Sequence, residues 1–174
     1  VDLSIKYSKT RSIGLIGTQA TINSKAYDKQ LANIANSKFI LHSISCPLFV
    51  PIVEEGWEDT DIAHQIATKY LIHFNNQNID TVILGCTHYP MLIHTLKSVF
   101  KKLGNTKLNF VDCGDAVTLH LKSIIKPEKY PTLDIRKETY IEDQFYSTDT
   151  SYQFNELANK FLGYTIANIQ IISL

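Results

Sequence analysis

The chain has 174 residues, 44% hydrophobic and 20% charged, which suits one packed domain, or one domain plus part of another, and excludes wholesale disorder. Lys plus Arg and Asp plus Glu each number 17, so the formal net charge is zero. That balance argues against bulk nucleic-acid binding and against a basic membrane patch, while leaving room for a small anionic substrate.

Residues 12–17 (SIGLIG) form a short apolar run ending in glycine, the pattern of a buried strand. A polar stretch with Thr18, Thr21 and Asn23 leads into helical spacing around Ala26, Tyr27, Leu31 and Ile34. Residues 39–44 read as a second strand, stopped at Cys46-Pro47 because the residue before proline avoids the helical region. Residues 50–57 read as an apolar and acidic connection. Asp59 or Thr60 then caps a helix carrying Ile62, Ile66, Tyr70 and Phe74 at three- and four-residue steps.

Residues 81–85 (TVILG) are the clearest buried strand, and Pro90 opens the helix that follows, where its missing N–H costs nothing. Residues 109–112 are a fourth strand, and Gly114 leads into a helix through Val117, Leu121 and Ile124. Residues 126–137, with Pro127 and Pro131, read as a surface linker. A strand over 140–146, a helix over 151–161 and a last strand over 168–172 complete the chain. Such alternation predicts an α/β fold, a parallel sheet flanked by helices. In these sheets ligands sit beyond the C-terminal strand ends. Gly17-Thr18 and Gly85-Cys86-Thr87-His88 both fall there.

No apolar run is long enough to span a bilayer, and Val1-Asp2-Leu3-Ser4 lacks the regions of a signal peptide. Cys46, Cys86 and Cys113 are odd in number and widely spaced, which is no disulfide framework, so a cytoplasmic location is expected. The chain begins at Val1 rather than Met, the pattern of a fragment or a trimmed chain.

Cys86 is the first candidate for chemistry. A core cysteine would be flanked by apolar residues, whereas Thr87 and His88 follow this one and Pro90 opens a helix just beyond. A thiol there, beside an imidazole, is suited to exchanging a proton. His88 either tunes that exchange, binds a carboxylate or merely caps a helix. Glu54 and Glu55 are either a solvated pair or the source of a partner for His88. Thr18 and Thr21 are either helix caps or donors to a substrate carboxylate. Zinc held by Cys86, His88, Cys46 and Cys113 lacks the usual ligand spacing, so no metal is assigned. A Cys-His hydrolase would need an oxyanion hole and an orienting group that the sequence does not supply. Gly14 and Gly17 do not make a dinucleotide fingerprint.

Ile83-Leu84-Gly85-Cys86-Thr87-His88-Tyr89-Pro90 closely resembles the second cysteine motif of glutamate racemases. Residues 16–27 (IGTQATINSKAY), 46–54 (CPLFVPIVE) and 145–148 (FYST) resemble three further segments of that family, in the same order. The resemblance implies two similar α/β domains facing each other and cofactor-independent racemisation of glutamate, supplying D-glutamate for peptidoglycan. Two thiols flank the substrate α-carbon, one removing a proton while the other delivers one. By this resemblance Cys86 is the thiol acting on L-glutamate, His88 assists it, and Glu54 matches the family's acid. Thr87, His88, Thr18 and Thr21 resemble substrate-binding residues.

The family's opening Asp-Ser strand and its Cys-Asn-Thr motif, with the first catalytic thiol, are absent from these residues. Residues 12–112 then correspond to the second domain and residues 113–174 to a segment returning to the first. The implied partners are glutamate and a second copy in a homodimer, with no nucleic acid and no membrane. The rival readings are an aspartate or other amino-acid racemase of the same superfamily, and a non-catalytic remnant or binding module.

Overall fold

The computed structural model describes residues 1–35, 38–125, 144–148, 152–166 and 169–173. The chain divides into two compact units, Val1–Ile125 and Lys126–Leu174.

The first unit is built on a four-stranded parallel sheet. Its strands are β1 (Ser12–Gly17), β2 (Ile40–Ser45), β3 (Thr81–Gly85) and β4 (Asn109–Val111), in the spatial order β2-β1-β3-β4. Helices α1 (Asp2–Tyr7), α2 (Gln19–Asn23), α3 (Ala26–Ala35), α4 (Phe49–Glu54), α5 (Asp61–Leu71) and α6 (Ile93–Lys102) flank and connect it, and α7 (Cys113–Ile124), with no buried residue, follows β4. A 3-10 turn, Tyr89–Leu92, sits between β3 and α6.

Strand alternation explains the layers. Ile13, Leu15 and Ile83 point to one face and pack with Ile22, Tyr27, Phe39 and Leu41. On the opposite face Gly14 leaves room for Ile79 and Phe74, either of which would lie 3.3 Å from an added Cβ. Phe74 stacks on Phe100 at 6.1 Å between centroids, which joins the end of α5 to α6. β1 is buried along its whole length, as a central parallel strand covered on both faces must be. Each large side chain sealed in these layers contributes about 2 kcal/mol of apolar burial.

The order of the strands decides where a ligand can sit. The chain leaves β1 for β2 on one side and returns across to β3 on the other. The crevice between the C-terminal ends of β1 and β3 is therefore the topological switch point.

The expected strands over 12–17 and 81–85 are found with those bounds, and the other two lie within a residue of theirs. Thr60 caps α5, accepting from the Ala63 amide. Three short helices were not anticipated. The 50–57 connection is largely helical, because Phe49, Ile52 and Val53 share one buried face and Pro51 lies in the first turn, where its missing N–H breaks no helical bond. The polar stretch after Thr18 folds into α2. The first residues fold into α1, which packs on β3 and β4.

The second unit contains β5 (Phe145–Ser147), α8 (Tyr152–Leu162) and β6 (Ile169–Ile171), with β5 and β6 paired in parallel. The helix expected over 151–161 and the strand at the end of the chain are present. The expected linker, residues 126–137, lies outside the described residues. Among the described residues no helix is long and apolar enough to cross a membrane.

At the end of the sheet remote from the switch point, Asp80 ties the α1–β1 connection to the start of β3. It accepts from Ser8 Oγ at 2.7 Å and from the Lys9 and Thr10 amides at 2.6 and 2.8 Å. Partial burial pushes the Asp80 carboxyl up, but the hydrogen bonds from Ser8, Thr10 and Lys9 outweigh that and hold it below its ordinary range. The folded form thus favours the carboxylate more than the unfolded chain does. The resulting stability is present above about pH 4 and is lost as pH falls through the lowered folded value. Asp80→Asn is expected to cost about 1 kcal/mol at neutral pH, with the gap to wild type closing in acid. Urea unfolding midpoints at neutral and acid pH measure both.

Candidate active site

Three connections meet at the switch point, and each brings a polar group. β1 ends at Gly17 directly beside Gly85, the last residue of β3. A Cβ on Gly85 would lie 3.0 Å from the Ile16 carbonyl oxygen and 3.0 Å from Leu15 Cδ1. Only glycine lets the two strand ends run this close, and Cys86 is the next residue.

Beyond Gly85 the chain turns sharply. The Tyr89 amide donates back to the Cys86 carbonyl at 3.2 Å, opening the 3-10 turn. This turn folds His88 back towards the thiol, with Cys86 Sγ 3.9 Å from His88 Nδ1. The other ring nitrogen, His88 Nε2, lies 3.4 Å from Glu54 Oε1. A thiol, an imidazole and a carboxylate therefore stand in line, drawn from two connections 32 positions apart in sequence (86 minus 54). His88 occupies the cap position of the turn but its side chain makes no capping bond, so the helix-cap reading of this residue does not hold. Glu55, at the C-cap of α4, is exposed, and of the two adjacent acids Glu54 faces the imidazole.

Thr18 does cap α2, accepting from the Thr21 amide at 3.2 Å. The two hydroxyls are 3.0 Å apart, and Thr21 Oγ1 reaches the Gly85 carbonyl oxygen at 3.4 Å. The threonine pair thus adjoins the residue before Cys86. Thr87 is exposed beside the thiol.

The other two cysteines are different in kind. Cys46 is fully buried, and burial pushes its thiol up to about 12, too high for proton exchange near neutral pH. Its main chain is a junction: the amide donates to the Gly17 carbonyl at 2.8 Å, and the carbonyl accepts from the Phe49 amide at 3.1 Å. Cys113 is exposed at the start of α7. Among the described residues no three His, Cys, Asp or Glu side chains are grouped so as to hold a metal ion.

A family model for Asp/Glu/hydantoin racemases matches residues 3–121. The chain belongs to that family. Among curated relatives, a glutamate racemase of Sulfurihydrogenibium is 38% identical over 160 residues, covering 92% of this chain and 56% of the relative. One from Hydrogenobaculum is 37% identical over 177 residues, covering 100% of this chain and 61% of the relative. Two solved structures superpose closely. The glutamate racemase of Francisella tularensis, in complex with D-glutamate, has a TM-score of 0.79 at 29% identity, over 98% of this chain and 60% of that one. A glutamate racemase isoform of Bacillus anthracis has a TM-score of 0.80 at 31% identity, over 99% and 61%. The chain thus spans about three-fifths of the length of the racemases it matches.

Sequence reasoning overlooked the residues that hold this racemase-family site together. Tyr89 was read only as part of a motif. In the structure it is fully buried, and its hydroxyl donates to the Cys46 carbonyl at 2.8 Å. Burial, then the neighbouring Cys46, Cys86 and Tyr70, push this phenol well above its ordinary range, so it remains a donor. A buried tyrosine needs a polar partner, and an aromatic wedged between His88 and Pro90 was the signal available.

The thiols give a direct test. In the folded protein Cys86 and Cys113 are expected to react with a disulfide reagent such as Ellman's, while Cys46 reacts only after denaturant is added. Peptide mapping that finds Cys46 labelled at the native rate would contradict its assignment to the core.

Proposed function

We propose that this chain is the part of a glutamate racemase that bears the thiol acting on L-glutamate. The observation carrying the proposal is the Cys86–His88–Glu54 line at the switch point of a racemase-family fold. The identities to glutamate racemases support glutamate as the substrate.

The chemistry is a proton exchange at carbon. The Cys86 thiolate takes the α-proton of L-glutamate and becomes a thiol, leaving the electron pair on the α-carbon. A second thiol, on the opposite face of the substrate, gives its proton to that pair, and D-glutamate results. This second thiol belongs to the region of the racemases that the chain does not span. The reverse reaction exchanges the roles of the two groups. His88 stands within reach of Cys86 to assist its proton transfers, and Glu54 orients the imidazole. Thr18, Thr21 and Thr87 provide hydroxyls for the substrate carboxylates. A carbon acid this weak demands that developing charge be stabilised by fixed donors, which a preorganised threonine pair supplies.

On this reading the protein works in the cytoplasm, supplying D-glutamate for peptidoglycan. A homodimer is part of the same reading. Separately, the exposed apolar residues Val117, Leu119, Leu121 and Ile124 of α7 lie in the segment assigned to the incomplete first domain and favour self-association of the isolated chain. Light scattering of the 174-residue chain should give a mass above the monomer value at high concentration, and a clean monomer would count against it.

Circular dichroism of L-glutamate follows racemisation. Activity is expected when the chain is joined or mixed with the remaining racemase region. In that protein Cys86→Ala should reduce turnover of L-glutamate by about 1,000-fold or more while substrate binding is kept. Full activity in the variant would sink the assignment. Turnover of aspartate in preference to glutamate would transfer the site to the rival racemase.

A further inference from the structure

Cys86, His88 and Glu54 can act together only if two separate connections are held in register, and surface attraction between His88 and Glu54 is too weak to do this alone. Their side chains are 26% and 47% exposed, and pairs of that kind contribute about 0 to 1 kcal/mol. Something buried must set the spacing.

The buried group is Tyr89. Its amide is bonded to the Cys86 carbonyl and its hydroxyl to the Cys46 carbonyl. The Cys46 carbonyl also accepts the Phe49 amide, the first residue of α4, so a single oxygen anchors both Tyr89 and the helix that ends in Glu54. The Phe49 ring fills the space between, edge-on to Tyr89 at 5.3 Å and to Tyr70 at 5.3 Å. Tyr89 thus holds His88 from one side and α4 from the other. The lever is short. Phe49 and Glu54 are about 7 Å apart along the helix axis, so a tilt of roughly 10° would move Glu54 by about 1 Å. A displacement of that size is enough to impair proton transfer.

We propose that Tyr89 is a positioning residue, whose hydroxyl on the Cys46 carbonyl fixes the reach of Glu54 to His88. The proposal rests on the reading of Cys86, His88 and Glu54 as the proton-transferring set, and deepens it. Tyr89 touches neither substrate nor reacting atoms on this account. Its contribution is the alignment of residues that do.

The experiment uses long-range 1H–15N spectra of the His88 imidazole in the 174-residue chain. Glu54→Gln defines the signal of an imidazole without its carboxylate. Tyr89→Phe, which removes only the hydroxyl, is expected to move the His88 signals towards those positions. The Lys9 and Thr10 amides, held by Asp80 at the far end of the sheet, should stay where they are and report that the fold is intact. Should Tyr89→Phe fail to fold, Phe49→Leu loosens the same clamp from the α4 side without removing a polar group, and the same shift is expected. His88 signals unmoved in the folded clamp variants, or unmoved in Glu54→Gln, overturn the proposal.

In the complete racemising protein, Tyr89→Phe should lower kcat by about tenfold to 100-fold with KM changed less than about twofold. A raised KM with kcat retained would overturn the positioning role. If the unmodified complete protein leaves glutamate unchanged, the proposed function fails, and the His88 spectra still decide the clamp.

Discussion

The site depends on how closely β1 and β3 approach at their C-terminal ends. In a parallel sheet the strand spacing is set by hydrogen bonds, and side chains ordinarily stand clear of the neighbouring backbone. At Gly85 the neighbouring carbonyl oxygen of Ile16 would lie 3.0 Å from an added Cβ, closer than ordinary van der Waals contact. The absence of a side chain there brings the chain out of β3 directly against the end of β1. Cys86 consequently emerges next to the Thr18–Thr21 pair, whose Thr21 hydroxyl reaches the Gly85 carbonyl. Any residue larger than glycine would spread the strand ends and move the thiol with them.

The rest of the site is held by main-chain groups of residues with no chemical part in it. Cys46 illustrates this. Its side chain is sealed in the core, while its amide and carbonyl join the end of β1, the start of α4 and the Tyr89 hydroxyl. A buried carbonyl that accepts two donors leaves no orphaned polar group behind it, which is how a polar junction survives inside an apolar layer. The aromatic trio of Phe49, Tyr70 and Tyr89 surrounds this junction with ring edges and faces. The candidate residues are thereby carried on a packed base, while Cys86, His88 and Glu54 themselves stay accessible.

Membership of the racemase family fits this division of labour. In the Val1–Ile125 unit the candidate residues stand on a base built from the ends of three strands and the short α4. Among the described residues the unit that follows is a βαβ element, with β5 and β6 paired in parallel.

Much of this was legible in the sequence. Short continuous apolar runs marked 12–17 and 81–85 as strands because a buried parallel strand must be apolar on both faces. Proline and threonine marked helix starts, because their effects on the backbone are local. Position after a strand, with Thr87 and His88 behind it, singled out Cys86. The helix α4 was harder to read, since a proline in its first turn and acids at its end look like a loop until the burial of Phe49, Ile52 and Val53 is known. Sequence alone thus determined the order of the elements and the candidate residue types at the strand ends, both consequences of short-range backbone and solvation preferences. Only the tertiary structure decided that Glu54 rather than Glu55 meets His88, that Cys46 is core, and that Tyr89 joins two connections. Those outcomes depend on contacts between residues dozens of positions apart, and no local preference encodes them.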